Sequence, residues 1–368
     1  MSRPGVPTPS SGGFLRSARA VRVLILGVSL LTAAAVILTF VTWPTKPSLA
    51  AERSGDRGLL AAVGEPQGLH RLSVAVLDLD GQPRVRFADI GATRDTRYEA
   101  GSLTKAMTGL ALADAVERHE LGLGDPVSAH LPLGDSAAGR VTLRQLATHS
   151  SGYPRLGAST LRRGRLAAFT AGNPYTATLP QMLTEARKAE LGPSGRYAYS
   201  NLGAAVAGQA TAAAAGLSYP ELMSSRIFRP LGMADTVVAE RPLVPSGQDA
   251  SGHKMAPWVM RGYAPAGGMV TTSADLARFA QGVLAGTAPG LAALQPLAGT
   301  DDETTRIGIF WHVTARPGST PIVWHNGQTG GYSSFVGFDL KQRRAVVVLS
   351  DVSVSVDQLA VRLLSQPA

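Results

Sequence analysis

The chain has 368 residues, 45% hydrophobic and 17% charged, with a formal net charge of +9 and no cysteine. That length and apolar content support one large or two smaller packed domains rather than a disordered chain. Absent cysteine excludes disulfides, thiolate nucleophiles and cysteine-ligated metals, and the scattered arginines form no basic run interleaved with aromatics that would mark nucleic-acid binding.

Arg3, Arg16, Arg19 and Arg22 precede the first acidic residue and make 1–22 a basic tail. Residues 23–45 carry no charge. About 20 residues at ~1.5 Å each span the roughly 30 Å of a bilayer's hydrocarbon. With arginines before it and Trp43 at its far end, 23–43 reads as a transmembrane anchor, the tail cytoplasmic and the remainder outside. A cleaved signal peptide is the alternative, because Ser48-Leu49-Ala50 places small residues ahead of Ala51. The apolar run exceeds the ~7–15 residues of a signal core, which favours a retained anchor. The expected location is the cell membrane, single-pass with the folded part extracytoplasmic, with secretion after cleavage as the runner-up.

Residues 44–68 hold Pro, Gly and mixed charges and read as a linker to a folded domain over 69–368. "HRLSVAVLDLDGQPRVRFADIG" alternates apolar and polar residues around Asp80-Gly81, a hairpin signal. An apolar-faced helix then begins at Ser102, with Leu103, Met107, Leu110 and Ala111 at helical spacing. From about 106 to 290 the chain reads as helices and loops, and Thr272 and Asp275 have capping-box spacing. Strand patterns return in "IGIFWHV", "PIVWHNG", "YSSFVGFDL" and "AVVVLSD", before an amphipathic helix at about 356–366. The expected class is α+β: an antiparallel sheet built from both termini (about 69–105 and 291–368) flanked by helices, with a mainly helical second lobe (about 106–290). A site belongs in the cleft between them.

Ser102 and Lys105 stand one helical turn apart, so their side chains can meet. A serine hydroxyl needs a base to take its proton, and a buried lysine can lose its charge and serve. A helix N-terminus adds backbone N–H groups for an oxyanion. Spacing alone is a weak signal: Ser251 and Lys254 repeat it, though among Gly252, Pro257 and polar residues that suggest a loop. Tyr199 and Asn201 form the only Tyr-x-Asn, His325 and Gly327 the only His-x-Gly. A tyrosine relays protons, an asparagine orients a lysine or binds an amide, and the Gln328 N–H offers a second oxyanion donor. Taken singly, each of these also fits a turn or a packed side chain.

Ser-x-x-Lys, Tyr-x-Asn and His-x-Gly in this order resemble the penicillin-recognising serine hydrolases, specifically the class C β-lactamase-like family. "GSLTKAMTGLAL", "VTLRQLATHSSGYPRL", "YAYSNLGAAVAG", "IFRPLGMADT", "APAGGMVTTSADLARF" and "HNGQTGGYSSF" agree over roughly residues 70–350. The resemblance implies Ser102 as acylated nucleophile, Lys105 as its partner and Tyr199 as general acid/base. It implies Asn201, His325, Gly327 and Gln328 as the substrate-binding set. Whether Lys105 or Tyr199 takes the first proton stays open. The blocks around His149 and Ala266 read as turns and packing. Many members carry lysine where this chain has His325, so recognition of a substrate carboxylate is weaker or falls to Asn326 or Thr329. The implied function is a D-alanyl-D-alanine carboxypeptidase-like or esterase-like hydrolase acting on a D-Ala peptide, an ester or a β-lactam. The alternative is a sensor that acylates without efficient turnover. No metal, cofactor or nucleic acid is implied; the other expected partner is the membrane, through the N-terminal helix.

Overall fold

The computed structural model describes residues 45–366 apart from Gly81, so the segment read as an anchor, 23–43, lies outside the described residues. Among the described residues no helix is long and apolar enough to cross a membrane. In chain order come β1 (Arg53–Gly55), α1 (Arg57–Val63), β2 (Leu72–Asp78), β3 (Arg84–Ile90), β4 (Tyr98–Glu99) and α2 (Leu103–Glu117). The middle of the chain holds α3 (Leu143–Ala147), α4 (Ala158–Thr170), α5 (Leu179–Arg187), α6 (Asn201–Ala214) and α7 (Tyr219–Met223). The short strands β5 (Val237–Val238), β6 (Gly247–Gln248) and β7 (Lys254–Met255) follow, then α8 (Ala264–Gly267), β8 (Met269–Thr271) and α9 (Ser273–Ala285). Last come β9 (Ala298–Gly299), β10 (Thr305–Ile307), β11 (His312–Arg316), β12 (Ser319–Gln328), β13 (Ser333–Asp339), β14 (Arg344–Ser350) and α10 (Asp357–Ser365).

Nine strands make one antiparallel sheet in the order β1-β3-β2-β14-β13-β12-β11-β10-β9, so strands from both ends of the chain meet at β2 and β14. Both faces of its centre are covered, which is why every position of β2, β13 and β14 is buried. Successive side chains of a strand point to opposite faces. Ala75 and Leu77 of β2 accordingly join the larger core with α2 and α9, while Leu72, Val74 and Val76 join a second core with α1 and α10.

Four expectations change. Most of the stretch read as a linker, 44–68, is folded: Asp56 caps α1 by accepting from the Leu59 N–H (2.7 Å), and Leu59 and Val63 are buried in the second core. "IGIFWHV" is not one strand. It breaks between β10 and β11, where Phe310 takes a positive φ of 63° and the buried Trp311 ring donates to the Ala106 carbonyl (3.1 Å). An unbroken apolar run served a buried turn as well as it would a strand. Helix α2 has no wet face over most of its length, being buried at every position from Leu103 to Ala115. It runs through the interior against α6 and α8, so Lys105 is buried with it. The cap at α9 is half a box: Thr272 accepts from the Asp275 N–H (3.1 Å), but the Asp275 carboxylate takes the Asp235 N–H and the Thr236 hydroxyl instead.

Candidate active site

Ser102 sits at the first turn of α2 with helical backbone angles, and its side chain makes no capping bond, which leaves Oγ free for other partners. Lys105 Nζ lies 3.0 Å from Ser102 Oγ and donates to the Ala266 carbonyl at 2.5 Å. The Tyr199 phenol donates to the same Oγ at 2.7 Å. The three side-chain tips therefore converge on one oxygen. Ser251, the rival by spacing, is exposed in the turn between β6 and β7, and Lys254 is exposed too.

Burial sets the charge state. Lys105 is fully enclosed, and desolvation, followed by repulsion from Arg155, holds its amine well below the usual lysine range. An uncharged amine has two N–H groups and a lone pair. With one N–H on Ala266, the lone pair is available to the Ser102 hydroxyl. Burial pushes the Tyr199 phenol well up, so it holds its proton and donates. His325 is buried, its Nδ1 is 2.5 Å from the Asn326 carbonyl, and desolvation keeps it well below the ordinary histidine value. His149 is lowered in the same way, and His312 is pushed down to about 4.

The oxyanion side is built by close approach of two backbones. A Cβ added to Gly101, whose φ is 51°, would lie 2.7 Å from the Gln328 nitrogen; one added to Gly327 would lie 1.9 Å from the Ala100 carbonyl oxygen. Glycine is required at both points. Hydrogen-bonded and open pairs alternate along an antiparallel ladder. The Thr329 N–H donates to the Tyr332 carbonyl (3.0 Å), so the next pair, Gln328 with Ser333, is open and the Gln328 N–H aims away from β13, toward Gly101. Strand β11 stops pairing at Trp324, leaving residues 325–328 with a free edge on that side. The Gln328 N–H thus lies beside Gly101, the residue immediately before Ser102.

Asn201 is present but differently employed. Its Nδ2 donates to the Tyr175 hydroxyl (2.8 Å) while its Oδ1 is buried without a partner, and Lys105 is oriented by the Ala266 carbonyl instead. The Asn326 amide donates to Asp357 of α10 (2.7 Å), on the face of β12 opposite His325 and Gly327, and the Gln328 side chain is tied to Ser353 on that face. Asn326 is thereby removed as a carboxylate binder, since neighbouring positions of a strand face opposite ways.

Several site residues carried no readable signal. Ala266 acts through its carbonyl, which every residue type possesses. His149, read as packing, accepts from the Ser200 N–H (3.2 Å) and lays its ring 4.6 Å from that of Tyr199. Trp258, 5.1 Å from Tyr175, has a buried indole N–H without a partner, and its backbone N–H donates to Glu99 (2.5 Å). Burial pushes the Glu99 carboxyl, three residues before the nucleophile, up to about 7. Arg155 places its guanidinium 5.2 Å over the Tyr199 ring. Among the described residues no cluster of histidine and acidic side chains could hold a metal ion.

AmpH of Escherichia coli strain K12, a D-alanyl-D-alanine-carboxypeptidase/endopeptidase, is 31% identical over 182 residues, which span 46% of this chain and 46% of that relative. Penicillin-binding protein 4 of Amycolatopsis lactamdurans is 27% identical over 308 residues, 76% of each. A solved β-lactamase/D-alanine carboxypeptidase from Pseudomonas syringae shares the fold, with a TM-score of 0.68 at 19% identity over 81% of this chain and 95% of that one. With a family model described as Beta-lactamase matching residues 60–364, the chain belongs to the β-lactamase family.

Proposed function

We propose that the protein is a serine hydrolase that opens amide or ester bonds through an acyl-enzyme on Ser102. One observation carries this: a buried lysine amine, held by desolvation toward its neutral form, and a phenol held toward its protonated form both reach Ser102 Oγ, at 3.0 and 2.7 Å. As Oγ attacks a carbonyl carbon, its proton passes to the lone pair of Lys105. The negative oxygen is held between the N–H groups of Ser102 and Gln328. Tyr199 gives its proton to the leaving group, and water releases the acyl portion, with the Lys105–Tyr199 pair acting as one coupled network. The AmpH likeness supports D-alanyl-D-alanine peptides as substrates; small esters suit the same core. The unfilled hydrogen-bonding atoms of Asn201 and Trp258 offer a substrate amide one acceptor and one donor. We also propose export and retention in the membrane through residues 23–43, from the uncharged run and its arginine flank.

Labelling with a fluorescent penicillin or an active-site serine probe tests the assignment. Ser102→Ala abolishes labelling and lowers turnover by on the order of 10³-fold or more, while Ser251→Ala changes neither. Labelling that survives Ser102→Ala rejects the nucleophile.

A further inference from the structure

With Lys105, His149, His312 and His325 all held toward their neutral forms by burial, the arginine charge that lies over the Tyr199 ring belongs to a residue outside the three motifs. Arg155 lies between α3 and α4, and its main chain is fixed. The Arg155 carbonyl accepts from the N–H groups of Asn201 (3.0 Å) and Leu202 (3.3 Å), and the preceding Pro154 carbonyl accepts from the Ser200 hydroxyl (2.7 Å). Arg155 is thus bolted to the segment that carries Tyr199 and Asn201.

Its side chain is exposed, yet ordered over an aromatic plate: the guanidinium carbon is 5.2 Å from the centre of the Tyr199 ring, which Lys105 Nζ also approaches at 4.9 Å. Eight other arginines, among them Arg163, Arg226 and Arg316, have carboxylate partners. Among the described residues none is recorded for Arg155. A guanidinium held over a ring face retains N–H groups for other partners, and its fork matches a carboxylate with two parallel hydrogen bonds.

We propose that Arg155 binds a carboxylate on the acyl portion of the substrate, the portion that runs along Tyr199, Asn201 and Tyr175. This rests on the serine-hydrolase reading above and adds a substrate class to it: acyl donors with an acidic side group. The acyl side is indicated because Asn201, with an unpartnered Oδ1 for a substrate N–H, is the residue to which the Arg155 backbone is bonded. The exposed Arg155 also supplies the positive charge that the buried His325, held toward its neutral form, lacks.

Three esters test it: mono-4-nitrophenyl adipate, with the carboxylate on the acyl chain; 4-nitrophenyl methyl adipate, with none; and 4-carboxyphenyl hexanoate, with it on the leaving group. The wild type is expected to favour the first over the second in kcat/KM by about tenfold, the scale of a charge-assisted pair. The ratio falls as salt rises, because an exposed charge is screened. Arg155→Gln brings the ratio close to one and Arg155→Lys restores part of it, both mainly through KM. A wild type without preference, or one that gains only from the leaving-group carboxylate, overturns the proposal and leaves the Ser102 hydrolase intact. Equal losses on the first two esters in Arg155→Gln also overturn it, since they show that the side chain merely supports Tyr199. A protein inert to all three esters and to the serine probe rejects the hydrolase itself.

Discussion

Lys105 is the residue on which chemistry and stability pull apart. An amine with its folded pKa held below the ordinary value binds its proton less tightly in the fold than in the unfolded chain. The unfolded state then binds more protons, so this residue opposes folding at pH 7 and the opposition fades as pH rises toward 10.5. Lys105→Met keeps the length of the side chain and removes the amine. Burying a polar group costs ~1–3 kcal/mol, and the Ala266 carbonyl left without its partner takes back part of the gain. We therefore expect Lys105→Met to be more stable than wild type by about 1 kcal/mol in urea denaturation at pH 7, with the difference shrinking at pH 10. Turnover should fall by roughly 10²–10⁴-fold, the usual weight of a general base. A variant destabilised at pH 7 would show that the amine is tied into the fold rather than imposed on it. The meeting of Ser102, Lys105 and Tyr199 was legible because the motifs that hold them name particular side chains in order along the chain. The Ala266 carbonyl, the His149 ring and Arg155 were not, because a carbonyl has no residue type and a contact spanning 50 residues leaves no local pattern.

At the level of elements, the site depends on β12 running against the first turn of α2. The Ser334 hydroxyl donates to the Ala100 carbonyl (2.7 Å), and the Ala100 N–H donates to the Met269 carbonyl (2.9 Å), so the segment before Ser102 is pinned from two sides. It cannot retreat to admit a side chain at Gly327. Gly327→Ala is expected to lower stability by about 1–3 kcal/mol, the range for overpacking, and to reduce kcat more than it raises KM, because it moves an oxyanion donor. Differential scanning calorimetry with steady-state kinetics checks both; an unchanged kcat would place the donor elsewhere. The hairpin of β2 and β3 and the strands β12, β13 and β14 were visible as alternation around turn residues. Helix α2 misled, since Leu103, Met107, Leu110 and Ala111 suggest one apolar stripe although the helix is buried nearly all round. Its alanines, glycine and threonines are small enough for neighbours to pack on every side.

For the whole molecule, the boundary of the folded part is the point of practical consequence. Composition around Pro44 and Gly64 suggested an open tether through residue 68, but β1 pairs with β3 and Arg362 of α10 donates to the Ala62 carbonyl (2.6 Å). Turn-forming residues mark breaks between elements whether or not those elements are packed, and this is why the short β1 and α1 were missed. On the anchoring proposed above, removing residues 1–44 shifts the protein from the membrane pellet to the soluble fraction and leaves the melting temperature unchanged. Removing 1–68 strips β1 and α1 from Leu72, Val74 and Ile90 and should lower the melting temperature sharply or yield insoluble protein. Equal melting temperatures for the two truncations would return the segment to the status of a tether.

The pairing of β2 with β14 joins Leu72–Asp78 to Arg344–Ser350 at the centre of the sheet. During synthesis the early strand has its β3 neighbour within reach but must wait for some 270 further residues before the other side is filled. Contacts so far apart in sequence form slowly. A ribosome making this chain N-terminus first therefore holds an incomplete sheet until β14 emerges. The close approach of Gly327 and Gln328 to Ala100 and Gly101 is delayed with it, because β12 also belongs to the last part of the chain to be made.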